Sequence, residues 1–380
     1  MWPEEAAALV ETERSLTELR AVGPFTASFI ARWLRDRPEV AEPPPIRAGF
    51  LSYAAAREIV AAHPEWALAL AVDHQMHSDE TDGSAPLEEM AAAAAALGRE
   101  RIAITDHSKT LRITNGMDEG RLAAQGARID AFNARAASPR VLRGIEMDLT
   151  PEGVGDMDES AVAALDLVLG AFHSKLRLRD DQTERYRRAL GNPNIDVLAH
   201  PRGRVYNFRL GLSADWDAVA AGAAETGTAL EIDAYPDRQD LDIERLRAVA
   251  QAGAWISIGT DAHTPEELRY LELGVAAAIS AGIERDRVLN CLDVAGLAER
   301  IGAVRATKRT HQHRGGFEMP GGKRERIDTT PGRKGGSRFV RRETAGQFST
   351  DQTNAGRSVA RDKRVKAKHT APKGMKDRGD

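Results

Sequence analysis

The chain has 380 residues, 42% of them hydrophobic, and a single cysteine, Cys291; this is apolar material for one large domain with appendages and excludes an internal disulfide framework. The formal charge of −4 hides an asymmetry: from Ala303 onward about 21 Lys and Arg face about 8 Asp and Glu, leaving residues 1–302 near −17 and the remainder near +13. No apolar run approaches about 18 residues, and the opening Met-Trp-Pro-Glu-Glu has no basic stretch before an apolar core, so neither a membrane span nor a signal peptide is expected and a reducing cytoplasm fits the lone thiol.

Residues 1–66 read as a helical region. Ser15 to Ile30 is expected to form a helix, a glycine turn and a second helix, with Gly23, Pro24, Phe25, Thr26 and Ala27 at the turn. A tight turn leaves the next helix's first amide groups free, and free amides at a helix start attract phosphate. The segment resembles one helix-hairpin-helix of the kind that grips a DNA backbone without reading sequence. It departs from that pattern at Ala21, where a first glycine is common, and at Phe25, where a lysine is common; an ordinary helical hairpin is the competing reading. Pro43-Pro44-Pro45 then breaks the chain, and Tyr53 to Ala62 reads as a short helix.

Residues 67–302 alternate regularly. Strands are expected at Ala67–His77, Arg101–His107, Val141–Leu149, Leu165–His173, Ile195–His200, Ala229–Ala234 and Trp255–His263. Helices are expected at Pro86–Leu97, Glu119–Ala136, Asp181–Leu190, Trp216–Thr226, Ile243–Ala252 and Pro265–Ala281. Such strand–helix repetition argues for an α/β fold, a parallel (β/α) barrel rather than an open sheet, whose chemistry sits at the strands' C-terminal ends.

Those ends carry the chemistry-bearing residues. In the first strand, side chains two apart share a face, so Asp73, Gln75 and His77 point one way and His74 and Met76 the other. Asp82 lies in the following loop; His107, Glu146, His173, His200 and the Asp261/His263 pair close later strands. One histidine at a strand end is usually a hydrogen-bonded bystander. Five of the ten histidines ending five strands of one barrel is a constellation. Imidazole mixed with carboxylate, without thiolate, suits Mn, Zn or Fe rather than a closed structural zinc site.

At these residues the chain resembles the PHP (polymerase and histidinol phosphatase) superfamily, which implies a distorted seven-stranded TIM-like barrel with a trinuclear metal site. Gly-Ile-Glu-Met-Asp-Leu (144–149), Ala-His-Pro-Arg-Gly-Arg (199–204) and the run from Glu231 to Asp242 are similar to the PHP domain of bacterial family X DNA polymerases. The resemblance implies that His77, Glu146 and Asp261 bind a first divalent metal, with Gln75 a weaker fourth because it replaces the first histidine of the family's His-x-His. It implies Glu146, His173 and His200 for a second metal, and Asp82, His107 and His263 for a third. It makes Glu146, Asp261 and Arg202 the catalytic residues. Lys175, Arg202 and Arg204 stand just past ligand-bearing strand ends and are expected to clamp substrate phosphates. Asp233 and Arg238 are expected to support ligands or substrate.

After Gly302 the composition turns to Gly, Arg, Lys, Thr and Ser, so residues 303–380 are expected to be a disordered basic tail with weak, salt-dependent affinity for polyanions; His311 and His313 read as incidental. The reading that follows is a metal-dependent phosphoesterase acting on nucleic acid, a 3′-5′ exonuclease or DNA-end phosphatase with DNA-repair or replication partners. Its rivals are a small-molecule phosphatase of the histidinol-phosphatase type and a non-catalytic DNA-binding scaffold. About 66 residues ahead of the barrel are too few for a polymerase domain.

Overall fold

The computed structural model describes residues 1–135 and 138–310 in full, with the backbone of 311–313, 325–328, 337–340 and 353–354. It divides into two units, Met1–Arg309 and Thr310–Asp380. The first holds seven parallel strands in chain order: β1 (Val72–Met76), β2 (Arg101–Ile104), β3 (Arg140–Asp148), β4 (Leu167–Ala171), β5 (Val197–Ala199), β6 (Ala229–Asp233) and β7 (Ile256–Gly259). Every residue of β1, β2 and β4 to β7 is buried, as expected of a parallel sheet with one face on the barrel interior and the other under helices. Helices Trp216–Thr226 and Ile243–Ala252 fall where the apolar period places them. Each starts on an aspartate accepting from a first-turn amide, Asp215 from Ala218 and Asp242 from Arg245, and stops at a left-handed glycine, Gly227 or Gly253.

The ring closes unevenly. At the C-terminal ends, the His77 amide donates to the Ala262 carbonyl at 2.8 Å and the Asp261 amide to the Gln75 carbonyl at 3.0 Å. Lower down, the buried Asn290 side chain bridges the two strands. It accepts from the Ile258 amide at 2.8 Å and donates to the carbonyls of Val72 and Ile258, both at 2.9 Å. Gly259 allows the close approach, because a β-carbon there would sit 2.5 Å from the Gln75 Cβ.

Several expected boundaries move. Ala67–Leu70 is a helical turn rather than the start of β1; a short apolar run does not distinguish helix from strand, and Ala-Leu favours helix. Pro265–Tyr270 is a 3₁₀ segment preceding helix Leu271–Ala281. The first arm of the helix-hairpin-helix is only a 3₁₀ turn, Leu16–Glu18, while the second is a full helix, Pro24–Asp36. The segment before residue 67 is not a separate layer throughout: Tyr53, Ala56, Val60 and Trp66 share the barrel's main core cluster. Leu9, Leu16, Leu19 and Val22 form a small cluster of their own. At the other end, helix Val294–His313 runs through the boundary placed at 302, with Val304 and Lys308 buried. In the second unit, three short strands, Glu325–Asp328, Ser337–Val340 and Thr353–Asn354, pair antiparallel. Most of the tail expected to be disordered lies outside the described residues.

Replacing Asn290 by Ala leaves the Ile258 amide and the Val72 carbonyl without their partner inside the barrel wall. Unsatisfied buried backbone groups at that level are expected to lower stability by about 2–4 kcal/mol, measured by denaturant unfolding of the full chain. A change under about 0.5 kcal/mol refutes a closing role for Asn290.

Candidate metal centre

The site is built around Glu146, on β3 one residue beyond Ile145 and opposite Leu169 of β4. Its Oε1 meets His200 Nε2 at 2.6 Å and His173 Nε2 at 3.0 Å; its Oε2 meets His77 Nε2 at 3.3 Å and His107 Nδ1 at 3.4 Å. Burial alone would raise this carboxyl's pKa. The imidazoles of His107, His200 and His173 outweigh that and hold it well below the usual carboxylate range.

Around this centre donor groups gather that overlap the expected ones, with His107 rather than His200 grouped with Glu146 and His173. His77, Glu146 and Asp261 offer donor atoms within 4.8 Å of one another, as do His107, Glu146 and His173. Asp82, His107 and His263 come together with His77 as a fourth member. His107 thus stands between two groups that the sequence kept apart, with Nε2 3.6 Å from Asp82 and Nδ1 toward Glu146. The His77 and His107 rings stack at 4.4 Å between centroids, and those of His77 and His263 at 4.3 Å. The strand alternation read in β1 holds: Gln75 and His77 reach the site, His74 turns to Ser257 at 2.9 Å, and Met76 enters an apolar cluster.

The donor set fits divalent ions. His77 Nδ1, both nitrogens of His107 and His173 Nε2 are buried yet make no hydrogen bond among the described residues. An imidazole nitrogen desolvated in this way costs stability unless a cation or proton takes its lone pair. Without metal, protons serve. Burial opposes charge on His77 and His173. Yet Asp261 and Glu146 raise His77 well above its ordinary value, and Asp148 with Glu146 raise His173 to about 9. Buried His107 moves the other way, lowered mainly by desolvation.

Other expected participants are placed differently. Gln75 Nε2 donates to Glu146 Oε2 at 3.2 Å and Asp261 Oδ1 at 3.3 Å, while its Oε1 is buried without a hydrogen-bond partner among the described residues. Arg238 reaches Asp261 Oδ2 at 3.1 Å and Asp233 at 3.7 Å. Arg202 is paired with Asp242 at 2.5 Å and donates to the Leu210 carbonyl. The phosphate clamp expected of Arg204 is not what the structure presents: that guanidinium is buried, donates to the carbonyls of Arg238 and Gly49 and stacks over Phe50 at 3.8 Å, tying the N-terminal segment to the barrel. Lys175 is exposed on the loop after β4, with φ 56°. Gly23 to Ala27 open helix Pro24–Asp36, with Gly23 to Thr26 exposed and Ala27 packed on the N-terminal cluster.

Sequence reading missed the supports. Asp106 accepts from the Ser78 amide, the hydroxyls of Ser78 and Thr81, and the Gln125 amide, which fixes the loop carrying Asp82. Asp148 holds His173 Nδ1 at 3.2 Å, and Glu231 accepts from the His200 amide at 2.7 Å. Each sits beside a chosen residue in a quoted motif, Asp106 before His107 and Asp148 two after Glu146; the signal was proximity to a ligand.

Residues 73–217 match the family described as the PHP domain. That match runs from β1 through β5 and stops short of β6 and β7. Over 219 residues this chain is 39% identical to the DNA polymerase/3'-5' exonuclease PolX of Bacillus subtilis, a match covering 57% of this chain and 38% of that protein. A probable phosphatase of Syntrophotalea carbinolica is 26% identical over 230 residues, covering 58% of this chain and 91% of the relative. The structure of histidinol phosphate phosphatase from Lactococcus lactis, complexed with zinc, L-histidinol and phosphate, aligns with 15% identity and a TM-score of 0.42 over 56% of this chain and 94% of that one. Among the described residues no helix is long and apolar enough to cross a membrane.

Two outcomes are expected of this centre. The His107→Ala/His263→Ala double variant should carry one divalent ion fewer per chain than the parent by elemental analysis, since both side chains belong to the Asp82 group; equal content refutes that grouping. The chelated protein should also lose thermal stability as pH rises. His173 has a folded-state value of about 9, above the ordinary 6.5, so its contribution is complete below about 6.5 and disappears as pH passes about 9. Metal-loaded protein, whose imidazoles must be neutral to bind, should lack that slope. Parallel pH profiles for the two forms would contradict the protonated cluster.

Proposed function

We propose that this chain is a metal-dependent phosphoester hydrolase acting on nucleic acid, as a 3′-5′ exonuclease or a DNA-end phosphatase, with two or three Mn, Zn or Fe ions held by His77, Asp82, His107, Glu146, His173, His200, Asp261 and His263. The observation that carries the metal-dependent chemistry is Glu146, whose two oxygens each face two imidazoles within 3.4 Å. Bound metals lower the pKa of a coordinated water and neutralise phosphoryl oxygens under attack. The protein's part is to hold those ions at fixed spacing. Glu146 sets the spacing, Arg238 balances the outer oxygen of Asp261, and Asp148 fixes the His173 ring through Nδ1.

The nucleic-acid part rests on two supports. The 39% identity to the polymerase/exonuclease falls on the PHP domain. Helix Pro24–Asp36 also begins with an uncapped first turn after Gly23, suited to a backbone phosphate, and carries exposed Phe25, Phe29 and Trp33. Exposed Lys175 is the cation best left for a substrate phosphate, because Arg202 and Arg204 are committed to Asp242 and to backbone carbonyls. The small-molecule reading has its own support in the probable phosphatases, which match over most of their length.

Turnover of 5′-labelled single-stranded or 3′-recessed DNA, set against histidinol phosphate with Mn²⁺ added, separates the readings. DNA should be the better substrate; good hydrolysis of histidinol phosphate with none of DNA rejects the nucleic-acid proposal. Glu146→Gln should lower kcat about 100-fold or more, because its loss is felt where the new bond to phosphorus forms, while substitutions in 24–27 should raise KM alone. Parental turnover by Glu146→Gln on every phosphoester would remove Glu146 from the chemistry.

A further inference from the structure

A second polar cavity, of about 380 Å³, lies at the end where β1 and β2 begin, bordered by Ala71 and Gly98, while the metal centre sits where those strands end. Its wall brings three arginines, Arg57, Arg99 and Arg269, against a single carboxylate, Glu272. Arg57 comes from helix Tyr53–Ala61, Arg99 from the turn into β2, and Arg269 from the 3₁₀ segment after β7. Glu272 pairs with Arg57 at 3.8 Å, leaving the other two without a carboxylate at ion-pairing distance among the described residues.

Arg99 is the informative member. It is only 6% exposed, its terminal nitrogens donate to the carbonyls of Leu70 and Leu268, and its Nε makes no hydrogen bond. Arg269 Nε is likewise buried without a partner. A guanidinium held by neutral carbonyls keeps its full charge, and burying that charge uncompensated is costly. Arg99, with half-buried Arg269 beside it donating among the described residues only to the Tyr270 hydroxyl at 3.1 Å, defines a place where a dianion would recover the lost solvation through charge-assisted hydrogen bonds. The remaining wall is apolar, with Leu70, Leu97 and the Tyr53 ring, and the volume exceeds what a bare phosphate fills.

We propose that this cavity binds a phosphate monoester, its dianionic head on Arg99 and Arg269 and its organic part on Leu70, Leu97 and Tyr53, as a site separate from the metal centre. Phosphodiester hydrolysis releases monoesters, so under the exonuclease reading proposed above the bound ligand would be a product; the binding itself does not depend on that reading. Neither the metal assignment nor the substrate proposal is needed for it.

Phenylphosphonate is a suitable probe, since its phosphorus–carbon bond resists hydrolysis. Calorimetric titration of the full, metal-loaded chain should show two binding events, one at the metals and one at the arginines. Arg57→Ala/Arg269→Ala should weaken one of them at least 10-fold while leaving metal content and turnover without probe unchanged; the Arg57→Lys/Arg269→Lys variant should retain it, because the charges remain. Inorganic phosphate should bind the same site more weakly, and benzyl alcohol not at all. Identical isotherms for parent and alanine variant, or equal binding of benzyl alcohol, overturns the proposal. Failure of the phosphoesterase reading would look different: no turnover of any phosphoester, with the arginine-dependent event intact.

Discussion

Everything in the barrel's upper half follows from placing one carboxylate, Glu146, where water cannot reach it. A carboxylate with 1% residue exposure is tolerated only if other charges repay its desolvation, and the repayment here comes from four imidazoles on four other strand ends or their loops. That requirement fixes more than the site. Each histidine must approach from a different strand, so the strands must surround the glutamate, and a closed parallel ring is a fold that lets them do so with short connections. The histidines then need orienting groups of their own: Asp148 for His173, Asp261 for His77, and Asp82 for His107 and His263. The negative charge of residues 1–302 is partly the consequence of this nested arrangement.

Closing the ring with seven strands puts strain at the seam between β1 and β7. The seam is where two of the site's features meet. Gly259 yields its side-chain volume to Gln75. Two residues on, Asp261 holds φ 52°, and across the barrel His200 holds φ 26°, left-handed backbone that costs a residue with a β-carbon about 1–2 kcal/mol. Neither is glycine, the residue that would relieve the strain, because each must supply a side chain to the centre. In these conformations the Asp261 amide donates to the Gln75 carbonyl at 3.0 Å and the His200 amide to Glu231 at 2.7 Å.

How much of this the chain declared in advance depended on the range of the interaction. The period-2 alternation of β1 separated Gln75 and His77 from His74 and Met76 because side-chain direction in a strand is local. The strand-end histidines were legible as a group for the same reason: the end of an apolar run is visible, and in a parallel barrel all such ends share one face. What was not legible acts across long separations. Asn290 closes a gap to Val72 that lies 218 residues away, and Arg204 reaches back 155 residues to Gly49. An arginine two residues from a metal ligand looks identical in sequence whether it binds phosphate or a backbone carbonyl. Short elements failed for a different reason: three or four residues such as Leu16–Glu18 or Ala67–Leu70 have too few turns to show a period, so packing decides them.

Gln75 shows how the centre absorbs a departure from its family's pattern. A histidine there would add a neutral base to the pair Glu146 and Asp261; the glutamine amide instead presents donor hydrogens to both, at 3.2 and 3.3 Å. Two buried carboxylates facing one another repel, and an NH₂ group between them lowers that repulsion without contributing charge. The pair therefore stays in place whether or not a cation is present, whereas a neutral imidazole with one donor could bridge only one of them. The exchange gives up a strong metal ligand and gains a preorganised carboxylate pair. Arg238, drawn to the far oxygen of Asp261, supplies the positive charge that the amide lacks. The same geometry keeps the donor atoms of His77, Glu146 and Asp261 within 4.8 Å of one another.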